Sequence, residues 1–243
     1  DDPENVFIVP DSANVGNGER LYKIVNEYDL SRSIIRFEIE AGLDSNSFGN
    51  STIGSFSTLN PALYAYEAIK YGRQKVMVAG GAEELCITEA AVFDTLYATS
   101  TKNDAAKTTP RPFDQDRDGL VIGEGAGTLI LEEYEHAIAR GAAIYAELVG
   151  FGCNSDGQHV TQPTADTMQV AIDMAMTDAN LTADDIGYIN AHGTSTDKGD
   201  IAESHATYNA LGKKPISSLK SYLGHTLGAC GVRIEMFVHN MMK

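Results

Sequence analysis

From about residue 60 onward, the apolar positions of the chain switch repeatedly between helical spacing and short strand-like runs. Residues 61–71 carry apolar side chains at helical spacing, and Gly72 follows them as a typical helix end. Residues 75–79 form an apolar run that indicates a short buried strand, closed by two glycines. Further strands are predicted at residues 127–131, 144–151 and 187–191, and further helices at residues 84–98, 132–140, 164–179 and 201–211. This alternation predicts an α/β fold with buried sheets.

Composition and charge narrow the classes of function. The 243 residues include 34 acidic and 18 basic side chains, which give a formal net charge of −16. So acidic a chain is not expected to bind nucleic acid, because phosphate contacts require clustered Lys and Arg. Three widely spaced cysteines and the lack of a long apolar run predict a cytoplasmic protein without a disulfide framework. The chain starts at Asp1 and stops inside a helical pattern, so we expect it to be part of something longer.

Two motifs imitate ligand sites. Asp114, Asp116 and Asp118 start like a calcium-binding loop, but Gly125 occupies the twelfth position, where a bidentate Glu is required. We therefore expect these aspartates to cap backbone N–H groups in a turn. The glycine run at residues 123–127 precedes a strand rather than opening a helix, so a dinucleotide site is not expected there. The sequence predicts no metal site.

Two histidines stand at predicted junctions between a loop and a helix. Residues 190–203 read NAHGTSTDKGDIAE and contain His192, and residues 220–231 read KSYLGHTLGACG and contain Lys220 and His225. Two imidazoles held in this way can direct two N–H donors at one oxygen, which is how a site stabilises an enolate or an oxyanion. Either histidine alone would be interpreted as a core residue. The two together with a buried-looking lysine favour a catalytic site.

These segments resemble the H-G-T and G-H-x-x-G-A-x-G motifs of the β-ketoacyl-acyl carrier protein synthases, the condensing enzymes of the thiolase superfamily. Two other blocks match in style and order, namely VMVAGGAEE at residues 76–84 and RPFDQDRDGLVIGEGAG at residues 111–127. The resemblance covers roughly residues 60–243. It implies a thiolase-like five-layer αβαβα fold of two related halves, incomplete in this chain, and we place these halves at residues 1–142 and 143–243.

The resemblance also implies an activity and its partners. The family catalyses decarboxylative Claisen condensation of malonyl-carrier protein with an acyl chain in fatty-acid or polyketide biosynthesis. It needs no metal or organic cofactor, because the substrate is carried on the phosphopantetheine of acyl carrier protein. The implied partners are acyl carrier protein and a second ketosynthase-like subunit, in a homodimer or a heterodimer.

Residue roles follow from the same resemblance. His192 and His225 would polarise the malonyl thioester carbonyl while CO2 leaves, and Lys220 would set the electrostatics of the pocket with Glu203 as its carboxylate partner. The hydroxyls of two residues of the H-G-T segment, Thr194 and Thr196, would bind the phosphopantetheine arm.

Two further positions near the pocket come from the resemblance. Asp156 matches an acidic position near the pocket, where a hydrogen-bonding role is expected rather than proton transfer. His159 is a candidate for the pocket wall.

The nucleophile position departs from the family pattern. Counting back from Gly72 places it at Ser55, where the family has a cysteine. A helix dipole can turn a thiol into a thiolate, whereas a serine hydroxyl stays protonated unless a base takes its proton. Ser55 is compatible with a lost nucleophile, with a natural variant that only decarboxylates, or with an unreliable segment at residues 1–58. It also leaves open a non-catalytic partner subunit of the chain-length-factor type.

Overall fold

Within residues 1–37, the structure describes one pair of strands. The computed structural model of the chain describes residues 7–10, 22–25, 59–157 and 161–231. By its contacts the chain divides into two compact units, residues 1–37 and residues 38–243. In the first unit, strand β1 (Phe7–Pro10) pairs antiparallel with strand β2 (Tyr22–Val25).

The second unit begins with a helix packed on an antiparallel pair of strands. Helix α1 (Leu59–Lys70) contacts β3 (Val76–Glu83) and β4 (Gly125–Glu132), and these two strands pair along their whole length. The predicted helix and both strands are confirmed, but β3 does not end at its glycines. A Cβ at Gly80 would lie 2.5 Å from the carbonyl oxygen of Gly127 on β4. A glycine is therefore needed inside this strand because the two backbones approach closely.

Two short helices follow these strands. Helix α2 (Ile87–Thr95) and helix α3 (Tyr134–Ala139) confirm two predicted helices over shorter ranges. Helix α3 starts late because the Glu133 carboxylate accepts hydrogen bonds from the N–H groups of Glu135 and His136, at 3.0 and 2.8 Å. A carboxylate that caps the first N–H groups fixes the start of a helix.

The two long helices of the second unit pack against each other. They are α4 (Ala165–Ala179) and α5 (Asp197–Leu211), and both confirm predicted helices. On α4 the residues at 168, 171, 172, 175 and 176 are half-buried, while those at 170, 173, 174, 177 and 178 are exposed. Helix α5 begins four residues earlier than predicted.

The strand predicted at residues 144–151 is wrong. These residues have no strand beside them in the described part of the chain, and a strand needs a hydrogen-bonding neighbour. A Cβ at Gly150 would lie 2.6 Å from the carbonyl oxygen of Ala175, and the N–H of Phe151 donates to Asp178 at 3.1 Å, so the end of the run contacts α4. The apolar side chains before it, Ile144, Tyr145, Leu148 and Val149, are exposed in the described structure.

The site described below lies at a small parallel sheet. Strand β5 (Ile189–Asn190) pairs with β6 (Ile216–Ser217), and the single-turn helix α6 (Lys220–Leu223) and a 3₁₀ turn (Leu227–Ala229) follow. The predicted strand at residues 187–191 is confirmed over these two residues. Among the described helices, none is long and apolar enough to cross a membrane.

The cysteines form no disulfide in the described residues. Cys86 and Cys153 are exposed and Cys230 is buried. Of the three, Cys230 is therefore the one that packs in the interior.

Two of the three aspartates that resemble the start of a calcium loop, Asp114 and Asp118, accept hydrogen bonds from backbone and side-chain donors. Asp114 accepts the N–H of Asp116 at 2.8 Å, and Asp118 accepts the hydroxyl of Ser100 and the N–H of Thr101. The predicted turn is confirmed. No cluster of three or more candidate metal-ligating side chains occurs in the residues described.

A buried carboxylate joins this turn to the segment that follows β5. Asp200 on α5 is 2% exposed and accepts the N–H groups of Phe113 and Ser195, at 2.7 and 3.1 Å. Arg117 faces it with Nε at 3.7 Å from the carboxylate and also bonds the exposed Asp197. Asp200 therefore holds residues 111–119 against the start of α5.

We expect Asp200→Ala to lower the free energy of unfolding by about 1–3 kcal/mol, because it leaves buried N–H donors without an acceptor. Asp197→Ala is the matched control, since Asp197 binds the same arginine at the surface, and it should cost at most about 0.5 kcal/mol. Urea unfolding of the protein carrying each variant measures both values. Equal losses in the two variants would contradict the role given to Asp200.

Candidate active site

His192 lies directly after β5, where one carboxylate holds the backbone. Glu203 on α5 accepts the N–H of His192 and the N–H of Gly193, both at 2.7 Å. Gly193 has φ +36°, and a Cβ there would lie 2.6 Å from the Cβ of Ser218. The position therefore requires glycine, and the H-G-T segment is fixed by its backbone.

His225 is held by the segment that leads into β4. Its N–H donates to the carbonyl oxygen of Val121 at 2.7 Å, and the N–H of Gly123 donates to the carbonyl oxygen of His225 at 2.9 Å. A Cβ at Gly123 would lie 2.1 Å from the carbonyl oxygen of Leu223. The glycine run at residues 123–127 thus packs beside His225, a role that the sequence analysis did not predict.

Lys220 connects the two histidine segments. It is 4% exposed, and its Nζ donates to the carbonyl oxygen of His192 at 2.6 Å and lies 3.3 Å from Nδ1 of the same residue. The sequence predicted Glu203 as the carboxylate partner of Lys220. The charges of the two groups act on each other's pKa, as this prediction requires, but no ion pair joins them in the described residues, because the Glu203 carboxylate accepts the two backbone N–H groups.

The two imidazoles meet edge to face. Their ring centroids are 5.0 Å apart and the rings are inclined by 83°. The N–H of Leu227 donates to Nδ1 of His225 at 3.1 Å, and the ammonium of Lys220 faces Nδ1 of His192. A neutral imidazole that accepts at Nδ1 carries its proton on Nε2. Each ring therefore offers one Nε2–H donor, and no residue of the described segments bonds to either.

The surroundings keep both rings neutral. The positive charge of Lys220, followed by the loss of hydration, lowers the pKa of His192 well below its usual value. Burial, followed by the charge of Lys220, lowers the pKa of His225 to about 3. Burial also lowers the pKa of Lys220, while Cys230, Glu203 and Asp200 oppose this shift. Burial raises the pKa of Glu203 against the effect of its two N–H donors.

The structure places the remaining predicted residues less centrally. The hydroxyls of Thr194 and Thr196 lie 2.9 Å apart and hydrogen-bond to each other, with Thr196 buried and Thr194 half-buried. Asp156 accepts the N–H of Thr164 at 3.2 Å, just before α4. Binding of the phosphopantetheine arm by the two threonines, and a pocket role for Asp156, stay predictions.

The described residues hold only part of the predicted site. Ser55 and His159 lie outside them, so the nucleophile position is not described. Glu83, which the sequence analysis quoted in a motif without a role, accepts the N–H of Gly228 at 2.9 Å, next to His225. Nothing in the sequence pattern signals this contact, because it joins residues 145 positions apart.

Comparison with known proteins identifies the family. Residues 36–137 match the family described as "Beta-ketoacyl synthase, N-terminal domain", and residues 145–243 match "Beta-ketoacyl synthase, C-terminal domain". The chain belongs to the β-ketoacyl synthase family. Its fold is accordingly the α/β thiolase-like fold, of which this chain is a part. The division at residue 142 stays a prediction.

Individual relatives agree with this family. The chain is 49% identical over 176 residues to 3-oxoacyl-[acyl-carrier-protein] synthase 2 of Vibrio harveyi. The aligned segment covers 69% of this chain and 42% of that protein. A crystal structure of a β-ketoacyl synthase from Burkholderia phymatum STM815 is 63% identical, with a TM-score of 0.75 over 76% of this chain and 46% of that one. The chain spans about half the length of the curated relatives it matches.

A third similarity is to a structure described as "AntDE:AntF (apo): type II PKS acyl-carrier protein in complex with its ketosynthase bound to the hexaketide". It is 42% identical, with a TM-score of 0.69, and the match covers 73% of this chain and 45% of that chain.

We expect Lys220→Met to raise the pKa of His192 more than that of His225, because Nζ of Lys220 lies 3.3 Å from Nδ1 of His192, whereas burial is the first cause of the lowered pKa of His225. A pH titration of the imidazole carbon-bound protons by NMR measures both values. The matched control is Lys198→Met, which removes an exposed lysine of α5 that bonds Gln162. Equal shifts of the two rings, or a similar effect of the control, would contradict this electrostatic interpretation.

Proposed function

We propose that the protein carrying this sequence is a β-ketoacyl-acyl carrier protein synthase in which His192 and His225 stabilise an enolate. In this step the bond between the malonyl carboxylate and the α-carbon breaks and CO2 leaves. The electron pair moves into the thioester as an enolate, whose oxygen accepts the two Nε2–H donors. In a complete condensation the α-carbon would then attack an acyl thioester and its thiolate would depart. Without an acyl acceptor, the α-carbon would instead take a proton from water.

The observation that carries this proposal is the pair of imidazoles, 5.0 Å apart, each with its Nδ1 facing a donor. Preorganised donors directed at a developing negative charge are commonly the largest contribution to catalysis. The lowered pKa of each ring supports neutral donors at working pH, so no proton is lost to the enolate. No metal or organic cofactor enters the proposed steps.

The acyl-transfer half of the reaction depends on residue 55. A serine hydroxyl cannot form the thiolate that the family uses, so we propose that this chain, as written, retains decarboxylation without efficient acyl transfer. A second candidate function follows from the same residue. A non-catalytic partner subunit of a ketosynthase heterodimer would also lack the cysteine, but it would have no need of the donor pair.

We further propose acyl carrier protein as the source of the substrate, together with a second ketosynthase-like subunit. A related structure is described as a ketosynthase with its acyl-carrier protein. Acyl carrier proteins are themselves acidic. In a chain of net charge −16, basic side chains near residues 73–111 would therefore supply the docking surface for this partner. Two of these candidates, Lys102 and Arg111, already pair with Asp118 and Asp114. Arg73, Lys75 and Lys107 are therefore the better candidates.

We expect the protein to release CO2 from malonyl-carrier protein. The kcat of this release should fall by a factor of about 10²–10³ in His192→Ala and in His225→Ala, because each variant removes one N–H donor. The double variant should lose less than the product of the two factors, since the donors act on one oxygen. His205→Ala is the control, because His205 is exposed on α5. No CO2 above background would favour the non-catalytic subunit.

We expect Ser55→Cys to restore a covalent acyl-enzyme, because a thiol can ionise where a hydroxyl cannot. Incubation with an acyl-carrier protein followed by peptide mass spectrometry measures the acyl group on residue 55, and the unchanged chain is the control. An acyl group found instead on Cys86, Cys153 or Cys230 would show that the nucleophile position is misplaced.

A further inference from the structure

Ser195 is a buried residue with an unusual backbone conformation between the two threonines that follow Gly193. It is 0% exposed, and its φ of +69° lies in the left-handed region that residues other than glycine rarely adopt. Such a residue persists only where the surrounding structure fixes it. The contacts that fix Ser195 therefore also fix the direction of its two neighbours, Thr194 and Thr196.

Three hydrogen bonds hold Ser195. Its N–H donates to Asp200 at 3.1 Å, its carbonyl oxygen accepts the N–H of Gly119 at 3.0 Å, and its hydroxyl oxygen accepts the N–H of Arg111 at 3.1 Å. The bond to Arg111 joins residues 84 positions apart, and it is the one that the serine side chain itself makes. Residues 111–119 thus hold the chain at Ser195 from a distant part of the sequence.

The hydroxyls on either side of Ser195 lie together. The hydroxyl oxygens of Thr194 and Thr196 are 2.9 Å apart, so one of the two O–H groups donates to the other oxygen. This bond leaves one O–H and the lone pairs of the donating oxygen that the hydroxyl pair does not itself use. A secondary amide needs a donor for its carbonyl oxygen and an acceptor for its N–H. The hydroxyl pair therefore has the chemistry to bind an amide group.

Gly199, in the first turn of α5, leaves the space that the hydroxyl pair occupies. A Cβ at this residue would overlap the hydroxyl oxygen of Thr196 and would lie 3.5 Å from that of Thr194. A side chain at residue 199 would therefore turn the hydroxyl of Thr196 away from its partner. Glycine destabilises a helix relative to alanine, so the helix itself does not explain a glycine here.

We propose that Ser195 and Gly199 position the threonine hydroxyl pair to receive an amide of the phosphopantetheine arm. Ser195 acts through the direction of its backbone, which the bond to Arg111 maintains, and Gly199 acts by leaving space. Both are positioning residues, since they act through the two threonines. The identity of the ligand rests on the proposed function, whereas the alignment of the two hydroxyls does not.

The test measures CO2 release from malonyl-carrier protein by the protein carrying this sequence. Ser195→Ala removes the acceptor for the N–H of Arg111, so KM should rise about five- to tenfold, the effect of one hydrogen bond, with kcat within about twofold of the parent value. Malonyl ethyl thioester has the same reacting group without the arm, and its kcat/KM should not change. Ser204→Ala is the matched control, because the Ser204 hydroxyl donates to the carbonyl oxygen of Asp200 within α5. It should leave both substrates at parent values.

Gly199→Ala is the second variant, because alanine favours the helix and the fold should be retained. It should raise the KM for malonyl-carrier protein to a similar extent as Ser195→Ala. In a background that lacks both hydroxyls, Thr194→Val with Thr196→Val, neither change should have a further effect. Additive losses in that background, or an equal loss with malonyl ethyl thioester, would overturn the proposal, because they would indicate a general loosening of the site.

A further measurement needs no turnover. Binding of phosphopantetheine itself, followed by the NMR shifts of the Thr194 and Thr196 methyl groups, should weaken about five- to tenfold in Ser195→Ala and in Gly199→Ala. This weakening in a protein that releases no CO2 would support the positioning role and overturn the proposed function. Normal CO2 release with an unchanged KM in both variants would overturn the positioning role alone. A parent protein that binds no phosphopantetheine would overturn the ligand assigned to the hydroxyl pair.

Discussion

The buried ammonium of Lys220 is the charge around which the candidate site is arranged. A lysine that is 4% exposed is costly unless its donors find acceptors, and here the carbonyl oxygen and Nδ1 of His192 supply them. The same charge opposes a proton on either imidazole. One buried cation thus orients His192, selects its tautomer and keeps both rings neutral. A neutral ring is the form that can donate to a growing negative charge without first competing for a proton.

Carboxylates bound to backbone N–H groups provide the rigid frame for this arrangement. Glu203 holds the chain at His192, Asp200 holds it at Ser195, and Glu83 holds it at Gly228. Hydrogen bonds to a charged acceptor are stronger than neutral ones, and the bond to Glu83 joins residues 145 positions apart. Part of the net charge of −16 is therefore structural. From the sequence alone, the net charge predicted only that the chain does not bind nucleic acid.

Local sequence patterns predicted the elements better than the contacts between them. Helices α1, α4 and α5 and strands β3 and β4 follow from apolar spacing, and the two histidines and Lys220 from their motifs. The error at residues 144–151 arose because a short apolar run predicts a strand by its pattern alone, whereas these side chains are exposed and have no pairing strand in the described residues. The roles of Gly123 and Glu83 could not be predicted, since they depend on backbone approach and on a hydrogen bond across 145 positions.

The two proposed half-reactions would depend on different parts of the chain, which bears on how Ser55 should be interpreted. His192, Lys220 and His225 all lie within the segment that matches the C-terminal domain of the family, while residue 55 lies within the segment that matches the N-terminal domain. The contacts that align the donors come from α5, from residues 121–123 and from Glu83, and none of them involves a thiol. Replacing the nucleophile therefore removes no described support of the donor pair. On this argument a serine at the nucleophile position is compatible with an intact decarboxylating site, because enolate stabilisation requires two N–H donors and a nearby positive charge rather than a covalent intermediate.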